Sequence, residues 1–338
     1  MTLSRRAFVL GTLGGAALAW SGYSLWQRQR RQAWTERVFI GRASGYDLDL
    51  TGLLMAGFKE VGLRVEEVQG RRVLLKPNLV ETAVGKPQIN THPAVIRAAA
   101  EAFRRLGAQE VVVAEGPGHL RDTHLVLEQS GYAEMLRTER LAFMDLNYED
   151  GVPVQNAGGW SRLKHLTLPV SVLAADVIVS VAKLKTHHWA GVTLSMKNLF
   201  GVLPGSYYGW PKNVLHWAGI PQCILDVTAT VRPHFAIVDG IVGMEGDGPI
   251  MGPPKAAGVL VVGRNLPAVD ATCARVMGLD PWRVSYLARA DGYLGPVSET
   301  AILQVGEPIS AVATPFALLD TIPAHRGLRL RRPGTEKS

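Results

Sequence analysis

Cysteine is nearly absent from this chain. Two occur in 338 residues, Cys223 and Cys273, with no Cys-x-x-Cys pair, so the chain itself ligates no iron–sulfur cluster and no cysteine-rich structural zinc. Each falls in a predicted helix, where a lone thiol serves as a small buried apolar residue; a disulfide between them is allowed but not specified. Also missing is any excess of charge in the body. The net charge is +7, yet residues 1–37 hold six Arg against one Glu, and residues 325–338 hold four Arg and one Lys against one Glu. Those ends supply +5 and +4, which leaves 7 − 9 = −2 for everything between them. A basic leader and tail on a near-neutral body do not make a phosphate-backbone footprint, and no nucleic-acid partner is expected. With 47% hydrophobic and 19% charged residues, the body is a globular domain with a sizeable core.

The leader, residues 1–34, carries Ser4-Arg5-Arg6-Ala7-Phe8-Val9 before an uncharged Gly- and Ala-rich segment. This resembles a twin-arginine export signal, which implies a twin-arginine translocase as partner and a periplasmic or extracytoplasmic location. Ala17-Leu18-Ala19 offers a cleavage site, while Trp20, Tyr23, Leu25 and Trp26 prolong the apolar run enough for a retained membrane anchor. Both outcomes stay open. Residues 35–322 form the domain, and 323–338 read as a basic, disordered tail.

Along the domain, apolar β-branched runs alternate with amphipathic stretches. Strands are predicted at 38–40, 71–75, 110–114, 141–146, 177–181, 235–238 and 258–262, with helices at 50–61, 123–137, 221–230 and 266–277. Thr91-His92-Pro93 opens a further helix with Thr91 as N-cap. Residues 147–165 read as loop or edge hairpin. The repeated order of helix, glycine, strand and polar loop predicts an α/β fold, a mainly parallel sheet with helices on both faces, in two lobes with a cleft between them.

Chemistry concentrates in the stretch 176–205, DVIVSVAKLKTHHWAGVTLSMKNLFGVLPG. Lys183, Lys185, His187, His188 and Lys197 follow a buried strand within a few residues, a pattern suited to a polar crevice beyond the carboxyl ends of strands. Lysine supplies fixed positive charge and histidine a group that titrates near neutrality or binds metal, so a small anionic substrate or a phosphate-bearing cofactor is expected. Lys76-Pro77-Asn78 leaves another strand end and can reach the same crevice. An aromatic loop, SYYGWPKNVLHW, brings His216 and reads as a lid or a packed surface loop. The run from Asp239 through Glu245 to Asp247, rich in glycine, reads as a flexible cation-binding or base-orienting loop, or simply a turn.

In this order, LLKPN, THPAVIRAAAEAFRRLGA, ADVIVSVAKLKTH, SMKNLFG, VDGIVGMEGDGP and AVDATCARVMGLDP resemble the family called domain of unknown function 362, over about residues 70–306. A more distant resemblance is to the nickel-pincer lactate racemases, carried by His187, Ala190-Gly191, Lys197, Pro204-Gly205 and His216. It implies a lysine at Lys197 that tethers a pincer nucleotide, a nickel-ligating histidine at His216, and proton exchange by His187 and His119. Leu194 and Ser195 stand where that family has glycine, and Lys76-Pro77-Asn78 replaces its phosphate motif.

The candidate site therefore comprises His187, Lys197 and His119 as catalytic groups; Lys76, Asn78, Lys183, Lys185, Ser195 and Asn198 around a cofactor; and His216, Asp239 and Glu245 as metal ligands. The expected cofactor is a nickel-pincer-type nucleotide or a divalent metal. The expected function is that of an exported enzyme acting on a small anionic substrate, with proton transfer of the racemase kind; the alternative is an extracytoplasmic anion-binding or redox-partner protein.

Overall fold

The computed structural model describes residues 34–118 and 121–330. Its main sheet has nine strands: β1 (Glu36–Arg42), β2 (Arg72–Lys76), β3 (Glu110–Glu115), β4 (Ala142–Asp145), β7 (Val177–His187), β8 (Gly191–Thr193), β9 (Phe235–Met244), β10 (Pro254–Gly263) and β11 (Ile302–Gly306). They run in the order β11-β1-β10-β9-β7-β2-β3-β4, with β8 added beside β7. Pairings are parallel except those of β10 with β1 and β9, and of β8 with β7. A separate antiparallel pair, β5 (Gly151–Gln155) and β6 (His165–Pro169), accounts for the edge-hairpin expectation.

The strands are buried on both faces, as parallel strands must be when helices flank them. Leu74, Val112, Ala182, Val238 and Val261 join one core layer with the helices Ile220–Val231 and Leu266–Val276. Val73, Leu75, Val113, Val179, Ile237 and Val262 join the other, beneath Leu50–Glu60 and Pro93–Arg105. Cys223 and Cys273 are free and buried in the first layer. One sheet runs through the described body, and its cleft lies at the carboxyl edge.

Five local expectations change. Strand β7 does not stop at Val181 but continues to His187 with all eleven residues buried, because β9 flanks it on one side and β8 takes over where β2 ends. Lys183, Lys185 and His187 are thus strand residues. Strand β9 likewise runs through Asp239 and Gly240 to Met244, so no loop begins at Asp239. The helix 123–137 is broken at Gly131, whose φ is +76°. His92, not Thr91, caps Pro93–Arg105, through Nδ1 accepting from Ala94 N–H at 3.2 Å; the Thr91 hydroxyl donates instead to Val181 O at 2.7 Å. The first residues of the tail are docked: His325 and Leu328 are buried, and Asp280 N–H donates to Leu328 O at 2.7 Å.

This topology fixes where a ligand can sit. From β2 the chain proceeds to β3 and β4 on one side, then returns to β7 on the other. At such a reversal the loops leaving neighbouring strands diverge and open a crevice at their carboxyl ends.

Candidate functional site

A cavity of about 440 Å³ opens at that switch point. Its wall takes Lys76 and Asn78 from the end of β2, Glu115 and Gly116 from β3, Lys185 and His187 from β7, and Thr193 from β8. Lys197 and Asn198 come from the short helix Ser195–Asn198, and Lys212 and His216 from the aromatic stretch.

Lys76 and Glu115 form the charged floor. Lys76 Nζ donates to Glu115 Oε2 at 2.5 Å, to Pro77 O at 2.7 Å and to Asn198 Oδ1 at 3.1 Å. Glu115 accepts as well from Leu79 N–H at 3.1 Å and Gly116 N–H at 2.9 Å. Burial pulls the Lys76 pKa down while Glu115 opposes the shift. A glycine at 201 is required here, since a Cβ would meet Glu115 and lie 2.8 Å from Lys76 Nζ.

Three more lysines share the wall, none paired with a carboxylate among the described residues. Lys185 Nζ donates to two backbone carbonyls, Ile89 O at 2.8 Å and Pro249 O at 3.1 Å. Burial, then the charges of Lys183 and Lys197, push its pKa far down. Lys197 Nζ lies 4.1 Å from the centroid of the Phe200 ring; burial, then Lys76, brings it to about 7. Lys212, at φ +69° in the left-handed region, donates to Asn147 Oδ1 at 2.5 Å. Burial brings it to about 7 as well, with Glu115 in opposition. The cause is general: removing an ammonium from water disfavours its charged form, and like charges add to the effect.

The histidines are neutral for the same reason. Burial, then Lys197, holds His187 well below its usual value and brings His216 to about 4. Trp189 N–H donates to His187 Nδ1 at 3.0 Å, so the proton of this neutral ring resides on Nε2. His188 stands 3.6 Å from Asp247.

Of the residues predicted from sequence, Lys76, Asn78, Lys185, His187, Lys197, Asn198 and His216 meet at the cavity. Asn198 is its hub, accepting from Lys76 and Asn78 and donating to Lys76 O and Ser180 Oγ. Ser195 stands behind the wall: its N–H and hydroxyl donate to Asp270 Oδ1 at 2.7 and 2.5 Å, and Met196 N–H to Asp270 Oδ2 at 3.0 Å. That buried carboxylate anchors the turn carrying Lys197. Lys183 is neutralised by Asp239 at 2.8 Å and bonded to Tyr46 Oη at 3.0 Å, outside the wall. The metal triad is not assembled. Asp239 serves Lys183 and His92 N–H, Glu245 serves Ala317 N–H at 2.7 Å and Lys255 at 3.3 Å, and among the described residues no group of three His, Cys, Asp or Glu could hold a metal ion. His119 lies outside the described residues. Glu115, Lys212, Thr193 and Asn147 were not anticipated; of these, only Lys212 had a signal, as a cation inside a loop otherwise rich in aromatics.

The profile of the family described as domain of unknown function (DUF362) matches residues 73–275. The chain belongs to the DUF362 family. Every cavity residue named above falls inside the DUF362 match, whereas Tyr46 and the docked tail fall outside it. Thylakoid-associated protein sll1697 of Synechocystis sp. is 26% identical over 259 residues, which cover 75% of this chain and 78% of that protein. Among solved structures, the lactate racemase apoprotein from Thermoanaerobacterium thermosaccharolyticum aligns over 73% of this chain at 13% identity, with a TM-score of 0.42. The chain spans 58% of that protein's length.

Proposed function

We propose that the DUF362 domain of this chain binds a small dianion in the cavity and transfers a proton on it. One observation carries this: Lys185, Lys197 and Lys212 line one buried cavity, and its floor carboxylate, Glu115, is already bonded to Lys76. Buried cations without counter-charge are costly unless something supplies it. A bound dianion would.

The proton-transfer roles follow from the resting protonation states. His187 presents Nε2–H and can hydrogen-bond the reacting oxygen while keeping its proton, and Lys197, half deprotonated near neutral pH, can accept the proton as an amine and return it as an ammonium. The donor set does not suit a bare divalent cation: among the described residues no three His, Cys, Asp or Glu come together to hold one, although His188 and Asp247 are paired on the wall, and the lysines repel it. A pincer-type nucleotide, an anion that brings its own metal donors, fits better. Lys197 would be its attachment amine, in which case it would no longer serve as the proton acceptor, and His216 a neutral imidazole donor; the group would supply a Lewis-acidic metal centre.

For location, we infer export by the twin-arginine route from Arg5 and Arg6, which lie outside the described residues. Among those described, no helix is long and apolar enough to cross a membrane. The name of the Synechocystis relative, thylakoid-associated, supports a place at or across a membrane.

Calorimetric titration with inorganic phosphate at low ionic strength tests the anion site. Lys185→Met and Lys197→Met are each expected to weaken binding about tenfold, the scale of one charge-assisted contact. Absence of phosphate binding at millimolar concentration by the wild-type protein would refute the proposal; binding with no proton exchange on any bound substrate would leave anion capture as the function.

A further inference from the structure

The cavity changes character along its depth. Its most buried lysines, Lys76, Lys185 and Lys212, are at most 2% exposed, whereas Trp189 and Met251 on the same wall are 54% and 78% exposed. Burial therefore orders the lining, with cations at the floor and large apolar side chains at the mouth. Ile250, Pro249, Pro211 and Val80, all half-buried, continue that apolar mouth.

Single exposed apolar side chains are ordinary, but a group of them around the entrance of one cavity marks a binding surface. Trp189 is also braced. Its ring packs edge-on against His188, with centroids 4.5 Å apart at 77°, and against His216, at 4.8 Å and 70°. An exposed indole held between two imidazoles is pre-set for contact, which lowers the ordering cost of binding. The volume of about 440 Å³ exceeds what a bare phosphate fills and falls among sites of about 300–1,000 Å³ that hold larger organic ligands.

The acids of the wall sharpen the division. Glu115 is bonded to Lys76, Glu81 is paired with Arg121 at 3.1 Å, and Asp247 stands 3.6 Å from His188. Glu81 and Asp247, half-buried and exposed, belong to the mouth, where they would repel a second negative charge. A ligand charged at both ends is therefore disfavoured. One charged at a single end and apolar at the other meets matching groups at both depths.

We propose that the ligand is an amphiphilic dianion such as an organic phosphate monoester, its charge held by the lysines and its uncharged apolar substituent seated against Trp189 and Met251. This rests on the anion-site reading and adds to it the chemical class of the ligand.

Calorimetric titrations with methyl, butyl and phenyl phosphate at pH 7 test the inference, because each monoester is mainly dianionic there and they differ in apolar area. Butyl and phenyl phosphate are each expected to bind about tenfold more tightly than methyl phosphate, the equivalent of about two buried methylenes, and the larger gain tells a chain from a ring as the preferred substituent. In Trp189→Ala the preference should fall to within about threefold. Met251→Ser, at the most exposed position of the mouth, keeps the test decisive should the first variant disturb His216; it too should shrink the preference. Lys185→Met should weaken all three compounds alike and keep the preference. Equal affinities in the wild type, or a preference that survives both substitutions at the mouth, would overturn the apolar subsite while leaving the anion site standing. Failure of all three compounds and of inorganic phosphate to bind would remove both.

Discussion

Anion binding to this cavity should take up protons, and the amount follows from the lysines. With pKa values of about 7, Lys197 and Lys212 are each half protonated at pH 7. A negative charge about 4 Å away stabilises an ammonium by about 4 kcal/mol at an effective dielectric of about 20, which corresponds to about three pKa units. Half of that effect already drives either lysine to more than about 90% protonation. Each then gains close to half a proton, so Lys197 and Lys212 together should add about one proton per anion bound at pH 7, over and above any uptake by Lys185, whose pKa burial holds far lower. Calorimetry with sulfate, a dianion that does not itself titrate in this range, in PIPES and in Tris, whose ionisation enthalpies differ, reads this number as the slope of apparent enthalpy against buffer enthalpy. At pH 5.5 both lysines are already charged, so their share of the slope should vanish and affinity for a dianion of fixed charge should exceed that at pH 7; above pH 7 affinity should fall. The stability of the ligand-free protein should move the other way. The folded lysines titrate near 7 but the unfolded ones near 10.5, so the unfolded chain binds more protons across that window and stability rises with pH. No uptake at pH 7, or uptake equal at pH 7 and 5.5, would refute the assignment of these two amines to the anion site.

Two further outcomes are expected. Asp270→Ala strips acceptors from Ser195 N–H, Ser195 Oγ and Met196 N–H; it should cost roughly 3 kcal/mol in urea unfolding and weaken phosphate binding by loosening the turn that carries Lys197, and unchanged phosphate affinity would show that the turn is held elsewhere. Replacing Arg5 and Arg6 by Lys should retain the protein in the cytoplasm on cell fractionation, and normal export of that variant would sink the leader assignment.

What could be read from sequence was whatever leaves a local mark. The apolar runs at 73–75, 111–113 and 177–181 announce a buried parallel sheet, and the reversal of strand order puts their carboxyl ends at one crevice. Hence seven of the predicted residues, from Lys76 to His216, do converge there. The errors share a cause. Sequence polarity ended β7 at Val181 and β9 at Val238, because lysine and aspartate do not usually lie inside buried strands. Here the Lys183–Asp239 pair lets both strands continue, each supplying the charge that the other needs to be buried. Asp239 was offered to a metal for want of that partner, 56 residues away in sequence. Glu115 went unnoticed for the opposite reason: nothing near it in the chain hints at Lys76 across the sheet, 39 residues earlier.

Lys183 and Lys185 separate scaffold from function more sharply than burial does. They lie two apart on β7, so they leave the same side of the strand, and both are fully buried. Lys183 meets a carboxylate and a phenol and is complete as it stands. Lys185 meets only carbonyl dipoles and shares the cavity with two more lysines, Lys197 and Lys212, that no carboxylate pairs among the described residues. A buried cation matched by its own carboxylate is accounted for by folding. One left to dipoles, in company with others equally unmatched, is not, and that is why the anion proposal starts from Lys185 and not from Lys183.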